Sequence, residues 1–255
     1  MVSLYGLVGR KLSHSFSRTY FTDKFREEAI EAEYKLFELE EISGLPDLIS
    51  SYPTLKGLNV TVPYKEQVID YLDALSDTAE AIGAVNTILI ERDVHGHPFL
   101  IGHNTDAEGF RRSLLGYLGS CAGFKALVTG TGGAAKAVSY ALAREGIEAT
   151  VVSRFPTEKN LTGCVIGYED CGQEIISDHH LIINTTPLGT FPDTASKVPL
   201  PYHLLTPGHK AFDLVYNPAV TAFMKACAER GCGVKNGLEM LYNQAELSWE
   251  IWQMG

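Results

Sequence analysis

The stretch Leu127-Val128-Thr129-Gly130-Thr131-Gly132-Gly133-Ala134-Ala135 joins an apolar run to a segment of helical period through three glycines. Phe124–Thr129 reads as a strand, the residues up to Arg144 as a helix and Ala149–Ser153 as the next strand. The pattern G-x-G-x-x-A therefore sits at a strand–turn–helix junction. Glycines there permit a tight turn and let backbone N–H groups approach a pyrophosphate, whose charge the helix start receives. The plain alternative is a tight βα turn in some other α/β domain. The end of the following strand discriminates further, because an acid at that point would accept hydrogen bonds from a ribose 2′-hydroxyl and repel a 2′-phosphate. The chain has Ser153-Arg154 and no acid there. Arg154 can offer a planar fork to a phosphate and stack on adenine, which favours NADP, against the ordinary reading of a solvated loop arginine.

Outward from this junction, apolar runs alternate with helix-period stretches, the pattern of an α/β protein with mostly parallel sheets. Leu4–Val8 reads as a strand and Phe16–Ile30 as an amphipathic helix with Phe16, Tyr20, Phe21 and Phe25 inward. Tyr34–Leu39 is the next strand and Leu45–Ser51 a short helix. Gly57–Val62 is then a strand ending at Pro63, and Tyr64–Leu72 a helix with that proline near its first turn. A small helix lies near Thr78–Ile82, and Ala84–Glu91 with Pro98–Gly102 forms a hairpin that closes a first domain. Asp106–Leu118 is helical, and the glycine junction opens a second domain. Leu181–Asn184, Ala211–Val215 and Gly233–Lys235 supply further short strands, and Asn236-Gly237 starts a last helix.

A chain of 255 residues has room for two such domains, since one typically takes about 100–200. Net charge −10 argues against a nucleic-acid surface and gives no support for anionic lipid. No apolar run approaches the roughly 20 residues of a membrane span. The opening MVSLYGLVGRKLSHS lacks a secretory apolar core, so a cytoplasmic protein is expected. Cys121, Cys164, Cys171, Cys227 and Cys232 form an odd set without a C-x-x-C pair and read as reduced and structural. His95 with His97, and His179 with His180, lack partners at a metal-ligand spacing, so no metal is expected.

Two polar clusters could carry chemistry. Asn59 and Thr61 stand two apart on an expected strand and so face one way, and Lys65 follows just past Pro63. Ligands of open α/β sheets bind beyond the carboxyl ends of strands, where this cluster falls. A lysine at a helix start is otherwise a solvated charge, mildly disfavoured by the helix dipole. Asn104-Thr105-Asp106 precedes the helix that links the domains, and helix capping accounts for these residue types equally well.

Several separated motifs then occur in one order. Gly9, His14, Ser15 and Ser17 make G-x-x-x-x-H-S-x-S, Asn59 to Lys65 make N-V-T-x-P-x-K, Gly83 to Thr87 make G-A-V-N-T, and Gly102 to Gly109 make G-x-N-T-D-x-x-G. Beyond the glycine turn come Ile183-Asn184-Thr185-Thr186-Pro187-Leu188-Gly189, Asp213-Leu214-Val215-Tyr216-Asn217-Pro218, and Gly237-Leu238 with Gln244-Ala245. In these motifs, across nearly its whole length, the chain resembles the shikimate dehydrogenase family.

The resemblance implies an N-terminal α/β substrate-binding domain (1–105, completed by a C-terminal helix at 238–255) and a Rossmann-type NADP-binding domain (106–237), with a cleft between them. It implies NADPH-dependent reduction of 3-dehydroshikimate to shikimate, with Lys65 and Asp106 as the catalytic pair. Ser15 and Ser17 would take the substrate carboxylate, and Asn59, Thr61, Asn86, Asp106 and Gln244 the ring hydroxyls and carbonyl, with Tyr216 close by. Gly130, Thr131, Gly132, Gly133, Ala134 and Ala135 would hold pyrophosphate, and Ser153, Arg154, Thr185, Thr186 and Val215 complete the cofactor set. The partners expected are a small-molecule substrate and, for assembly, a monomer or homodimer. A quinate/shikimate dehydrogenase with relaxed cofactor use and a noncatalytic dinucleotide sensor are the competing expectations.

The chain departs from the family pattern at several positions. Lys11 and Arg18 replace prolines around the opening serines, which changes loop stiffness but removes no hydroxyl. The family's N-R-T appears as Ser153-Arg154-Phe155, and Glu158-Lys159 stands where a second basic residue is expected, implying a weaker phosphate grip. Thr190 and Glu239 stand where methionine and glycine are common, the first of them near the nicotinamide by the same resemblance.

Overall fold

In the computed structural model, which describes residues 2–12, 15–157 and 164–255, the chain forms two α/β units, one of Met1–Thr105 with Ala245–Gly255 and one of Asp106–Gln244. The first unit contains β1 (Ser3–Gly9), α1 (Phe16–Glu27), β2 (Ala32–Glu38), α2 (Leu45–Ser51), β3 (Leu55–Val60), β4 (Ala74–Leu75), α3 (Asp77–Ile82), β5 (Thr87–Arg92) and β6 (Pro98–His103). Its sheet has the order β2-β1-β3-β5-β6-β4, parallel except where β5 runs against β3 and β6.

Alternation along β1 shows why this sheet is buried on both faces. Leu4 and Val8 point into a core with Leu45, Leu58, Tyr64 and Ile88, whereas Tyr5 and Leu7 point into another with Phe21, Phe25, Tyr34 and Trp252. Of the four aromatics expected to face inward from α1, Phe21 and Phe25 are buried, while Phe16 and Tyr20 are half-buried and stack on each other at 5.6 Å.

The second unit contains α4 (Asp106–Leu118), β7 (Lys125–Thr129), α5 (Gly133–Arg144), β8 (Glu148–Ser153), β9 (Cys164–Gly167), α6 (Gln173–Asp178), β10 (Leu181–Asn184), β11 (Lys210–Asp213), α7 (Ala222–Ala228) and β12 (Gly233–Asn236). The final helix α8 (Leu238–Trp252) is shared, because the division between the units falls between Gln244 and Ala245. The sheet is parallel throughout, in the order β12-β11-β10-β7-β8-β9. Strand order therefore reverses between β7 and β10, the switch point at which doubly wound sheets bind ligands.

Two expectations around Lys65 are corrected. The strand expected to reach Val62 ends at Val60, since pairing with β5 stops at Asn59, and Thr61 donates its N–H to the Val8 carbonyl at 3.0 Å while its own carbonyl accepts the Tyr64 N–H at 3.0 Å, which starts the turn. The helix expected over Tyr64–Leu72 is instead a turn followed by a 3-10 segment, Gln67–Tyr71. The Lys65 carbonyl accepts from Val85 N–H at 2.7 Å and is thereby diverted from a helical ladder. Lys65 consequently does not stand at the start of an α-helix. The strands β4 and β9 and the helices α6 and α7, none longer than seven residues, come in addition to the expected elements.

All five cysteines are free thiols. His179 is buried, with one ring nitrogen 2.8 Å from the Ile175 carbonyl and the other 2.8 Å from Thr150 Oγ1, so it is a satisfied core histidine. Among the described residues, no helix is long and apolar enough to cross a membrane and no cluster of three metal-ligating side chains occurs.

Two buried contacts generate predictions. A Cβ on Gly57 would land on the Trp252 indole, which is 1% exposed and donates Nε1–H to the Ile88 carbonyl at 3.0 Å. Gly57→Ala should therefore cost about 1–3 kcal/mol in urea unfolding, the usual range for overpacking. In the second unit, burial raises the Asp213 carboxyl above its ordinary value, while hydrogen bonds from Thr221, Val215 and Asn184 act the other way. A raised native pKa means that Asp213 favours the fold most at low pH, and that this contribution falls as pH rises from about 4, the ordinary aspartate value, through the native one. Asp213→Asn should gain stability relative to the wild type across that window, as followed by urea unfolding at successive pH values.

Candidate functional site

In the first unit the polar residues nominated from sequence converge on the middle of the sheet. Asn59, on β3 opposite Thr87 of β5, is 4% exposed. Its Oδ1 accepts from the Tyr34 hydroxyl at 2.7 Å, and its Nδ2 lies 3.0 Å from Ser248 Oγ, 3.3 Å from Thr87 Oγ1 and 3.4 Å from the Asn86 carbonyl. Asn86 is also buried, its Nδ2 donating to Thr105 Oγ1 at 2.9 Å and its Oδ1 accepting the Thr105 N–H at 2.7 Å. Ser17 joins the group through Tyr34, whose phenol burial pushes well up while a hydrogen bond with Ser17 acts the other way.

Ser15 plays a different part, as N-cap of α1, its hydroxyl accepting the Arg18 N–H at 3.3 Å. Lys65 is half-buried in its turn and tied by its backbone to Val85, the residue before Asn86. Asn104 donates to the Ala84 carbonyl at 2.9 Å, fixing the other end of the same loop. The structure thus brings Ser17, Asn59 and Asn86 into one hydrogen-bonded group and sets the Lys65 backbone one residue from Asn86. Sequence reasoning missed Tyr34, Thr87 and Ser248 as members, and had Thr105 only in a polar cluster that helix capping explained equally well. A signal existed for Thr87, which closes the G-A-V-N-T motif. Tyr34 and Ser248 carried none.

In the second unit, Asp106 begins α4 and is buried. Gly109, three residues on, is where α8 packs closest. A Cβ there would lie 3.0 Å from both the Gln244 nitrogen and the Met240 carbonyl, and Asn243 Nδ2 donates to the Gly109 carbonyl at 3.3 Å. The last glycine of G-x-N-T-D-x-x-G therefore permits the approach that brings the helices of Asp106 and Gln244 together. Tyr216 follows β11, half-buried, its phenol raised by burial.

The glycine turn leaves β7 at the switch point. Gly130 has φ 108°, a left-handed conformation that favours glycine, and a Cβ there would press on Thr185 Oγ1 at 2.7 Å. Gly132 is the N-cap of α5, and a Cβ on it would meet nothing within 4 Å, so its backbone faces open space. The first turn of α5, with Gly133, Ala134 and Ala135, carries no acidic residue to compete for its N–H groups. These features fit a pyrophosphate.

Across the switch point Thr185 Oγ1 donates to the Thr129 carbonyl at 2.6 Å, and Thr186 Oγ1 donates to Asn184 Oδ1 at 2.7 Å. Both hydroxyls fasten the loop beside the turn. Asn184, at the end of β10, accepts further from Thr129 Oγ1 at 3.2 Å and donates to Asp213 Oδ1 at 2.9 Å. Asp213 in turn receives the Val215 N–H at 3.1 Å, which places Val215 at the start of the loop after β11.

Ser153 ends β8 buried, its hydroxyl accepting the Phe155 N–H at 3.0 Å, while Arg154 is exposed with its guanidinium 5.8 Å from the Phe155 ring centre. A basic group thus stands at the tip of the strand next to β7, where a 2′-phosphate is recognised in such folds. His14, Glu158 and Lys159 lie outside the described residues.

A family model described as the shikimate dehydrogenase substrate binding domain matches residues 7–88. The shikimate dehydrogenase (NADP(+)) of Clostridium beijerinckii is 39% identical over 256 residues, covering 99% of this chain and 92% of the relative. The crystal structure of a chorismate mutase/shikimate 5-dehydrogenase fusion protein from Clostridium acetobutylicum superposes with a TM-score of 0.88 at 34% identity, covering 100% of this chain and 92% of that one. The shikimate 5-dehydrogenase of Thermus thermophilus, solved in complex with NADP(H) and shikimate, gives a TM-score of 0.84 at 31% identity, covering 99% and 94%. Likeness at this identity over essentially the full length makes this chain a member of the shikimate dehydrogenase family.

Proposed function

We propose that the protein is an oxidoreductase that reversibly reduces 3-dehydroshikimate to shikimate with NADPH, a step of the shikimate pathway towards chorismate and the aromatic amino acids. The observation that supports this reading is the burial of the polar side chains Asn59, Asn86 and Asp106, the first two in one hydrogen-bonded group with Ser17 nearby. The relatives' names, which specify shikimate and NADP, support the same substrate and cofactor.

Ser15 and Ser17 hold the substrate carboxylate. Thr61, Asn86, Asp106 and Gln244 meet the ring hydroxyls and the carbonyl, with Asn59 contributing to the same site and Tyr216 beside the ring. The turn Gly130–Ala135 with Thr131 at its tip, together with Ser153, Arg154, Thr185, Thr186 and Val215, would hold NADP(H), which supplies a hydride when bound. Hydride addition to a ketone develops negative charge on oxygen. The Lys65 ammonium stabilises that oxygen and gives it a proton, the most useful place for a fixed cation, and Asp106 shares the reacting hydroxyl with Lys65. As a small-molecule enzyme of this kind the protein works in the cytoplasm.

The test is NADP reduction by purified protein with shikimate, run in parallel with quinate and with NAD. Turnover with shikimate and NADP is expected; tight NADP binding with no turnover of shikimate would overturn the reading, and equal use of quinate and NAD would replace it with the broader specificity. Lys65→Ala should lower kcat by at least about 10²-fold while NADP binding persists, a typical general-acid contribution. Arg154→Ala should raise KM for NADP by about 10-fold or more, as expected for a lost charge-assisted bond, and lower kcat/KM with NAD far less, since NAD loses only the stacking on adenine.

A further inference from the structure

Asn59 is half of a question about hydrogen-bonding capacity. A primary amide has two N–H donors on one side and a carbonyl acceptor on the other. The Asn86 carbonyl can only accept, and it lies 3.4 Å from the Asn59 side chain, so the nitrogen must face that way. Nδ2 is then turned towards Asn86, Thr87 and Ser248, with Ser248 Oγ at 3.0 Å and Thr87 Oγ1 at 3.3 Å, and Oδ1 receives Tyr34 at 2.7 Å. Both donors point at protein acceptors, and the residue is 4% exposed. What remains among the described residues is one acceptor lone pair.

The hydroxyls that take those donors lead on to Asn86. Thr87 Oγ1 and Ser248 Oγ are 2.8 Å apart, and they lie 3.4 Å and 3.3 Å from Thr105 Oγ1. Thr105 in turn grips Asn86 from both sides, accepting from Nδ2 at 2.9 Å and donating its N–H to Oδ1 at 2.7 Å. Thr87 and Ser248 are fully buried, and Thr105 and Asn86 are 3% exposed, so no water competes cheaply for these groups. In a dry network each member orients the next, and loss of one leaves a buried donor unpaired.

Resting on the shikimate dehydrogenase reading, we infer that Asn59 is a positioning residue rather than a substrate ligand. With Ser248 and Thr87 it fixes Thr105, and through Thr105 it sets the plane of the Asn86 amide that meets the substrate ring. Tyr34 holds the other end of the Asn59 amide and links this frame to Ser17.

The experiment is a double-mutant cycle read as KM for shikimate, with KM for NADP and thermal unfolding as controls. Asn59→Ala and Ser248→Ala should each raise KM for shikimate by about 10-fold in the wild-type background, the size of one lost hydrogen bond to a polar partner, and leave KM for NADP within twofold, roughly the scatter of such measurements. In an Asn86→Ala background both should change KM for shikimate by less than about twofold, because the group they orient is gone. Ser248→Thr, which keeps a hydroxyl, should restore most of the Ser248→Ala loss.

A full additional loss on Asn59→Ala in the Asn86→Ala background would mean direct contact with substrate and would overturn the inference alone. A wild-type protein silent towards shikimate would instead remove the reading beneath it. If Asn59→Ala does not fold, Tyr34→Phe and Ser248→Ala in the same two backgrounds decide the matter by the same additivity.

Discussion

The Trp252 indole lies over Gly57 at the middle of the first sheet and donates its N–H to the Ile88 carbonyl of β5. This contact fastens the last turn of α8 to strands far away in sequence. Because residues four apart share a helix face, it also sets Ser248, one turn earlier, against Thr87 and Asn59. Tyr5, Phe21 and Tyr34 pack around the same ring, with centroids between 4.9 and 6.4 Å away. Burial of that much aromatic surface supplies the hydrophobic stabilisation that a group of buried hydroxyls and amides requires, since such groups gain little net stability by pairing and cost much when unpaired.

The same requirement orders the second unit. Asn184 ends the central strand β10 with a carboxamide that must be satisfied, and its partners are Thr129 at the end of β7, Thr186 in its own loop and Asp213 at the end of β11. Three strand ends are thereby held level at the point where strand order reverses. The glycine turn then projects from a fixed rim rather than a free loop, and Thr185 fills the space that Gly130 leaves open. A site built so has its backbone donors placed before any ligand arrives, which lowers the ordering cost of binding.

Function in this reading depends on short polar side chains whose placement is settled by packing at a distance. Gly109 illustrates it: its role is to let α8 come close enough for Gln244 to lie against the helix that begins with Asp106. The residues proposed to react are few and chemically ordinary. Lys65 sits in a turn whose carbonyl is bound by Val85, and that one backbone hydrogen bond ties it to the loop carrying Asn86.

The sequence by itself determined the alternation of strands and helices, the parallel second sheet, the turn at Gly130 and the helix from Asp106 to Leu118, because each rests on local period, glycine spacing or a cap that neighbouring residues supply. It also displayed most of the nominated site, since those residues stand in recognisable spacings. It could not show that the segment after Pro63 is no α-helix, for the deciding bond comes from Val85, nor foresee Tyr34 and Ser248 in the polar group around Asn59, which meet only when α8 returns to the first sheet. The elements β4, β9, α6 and α7 escaped for a related reason: their stability comes from what they pack against rather than from a signal in their own residues.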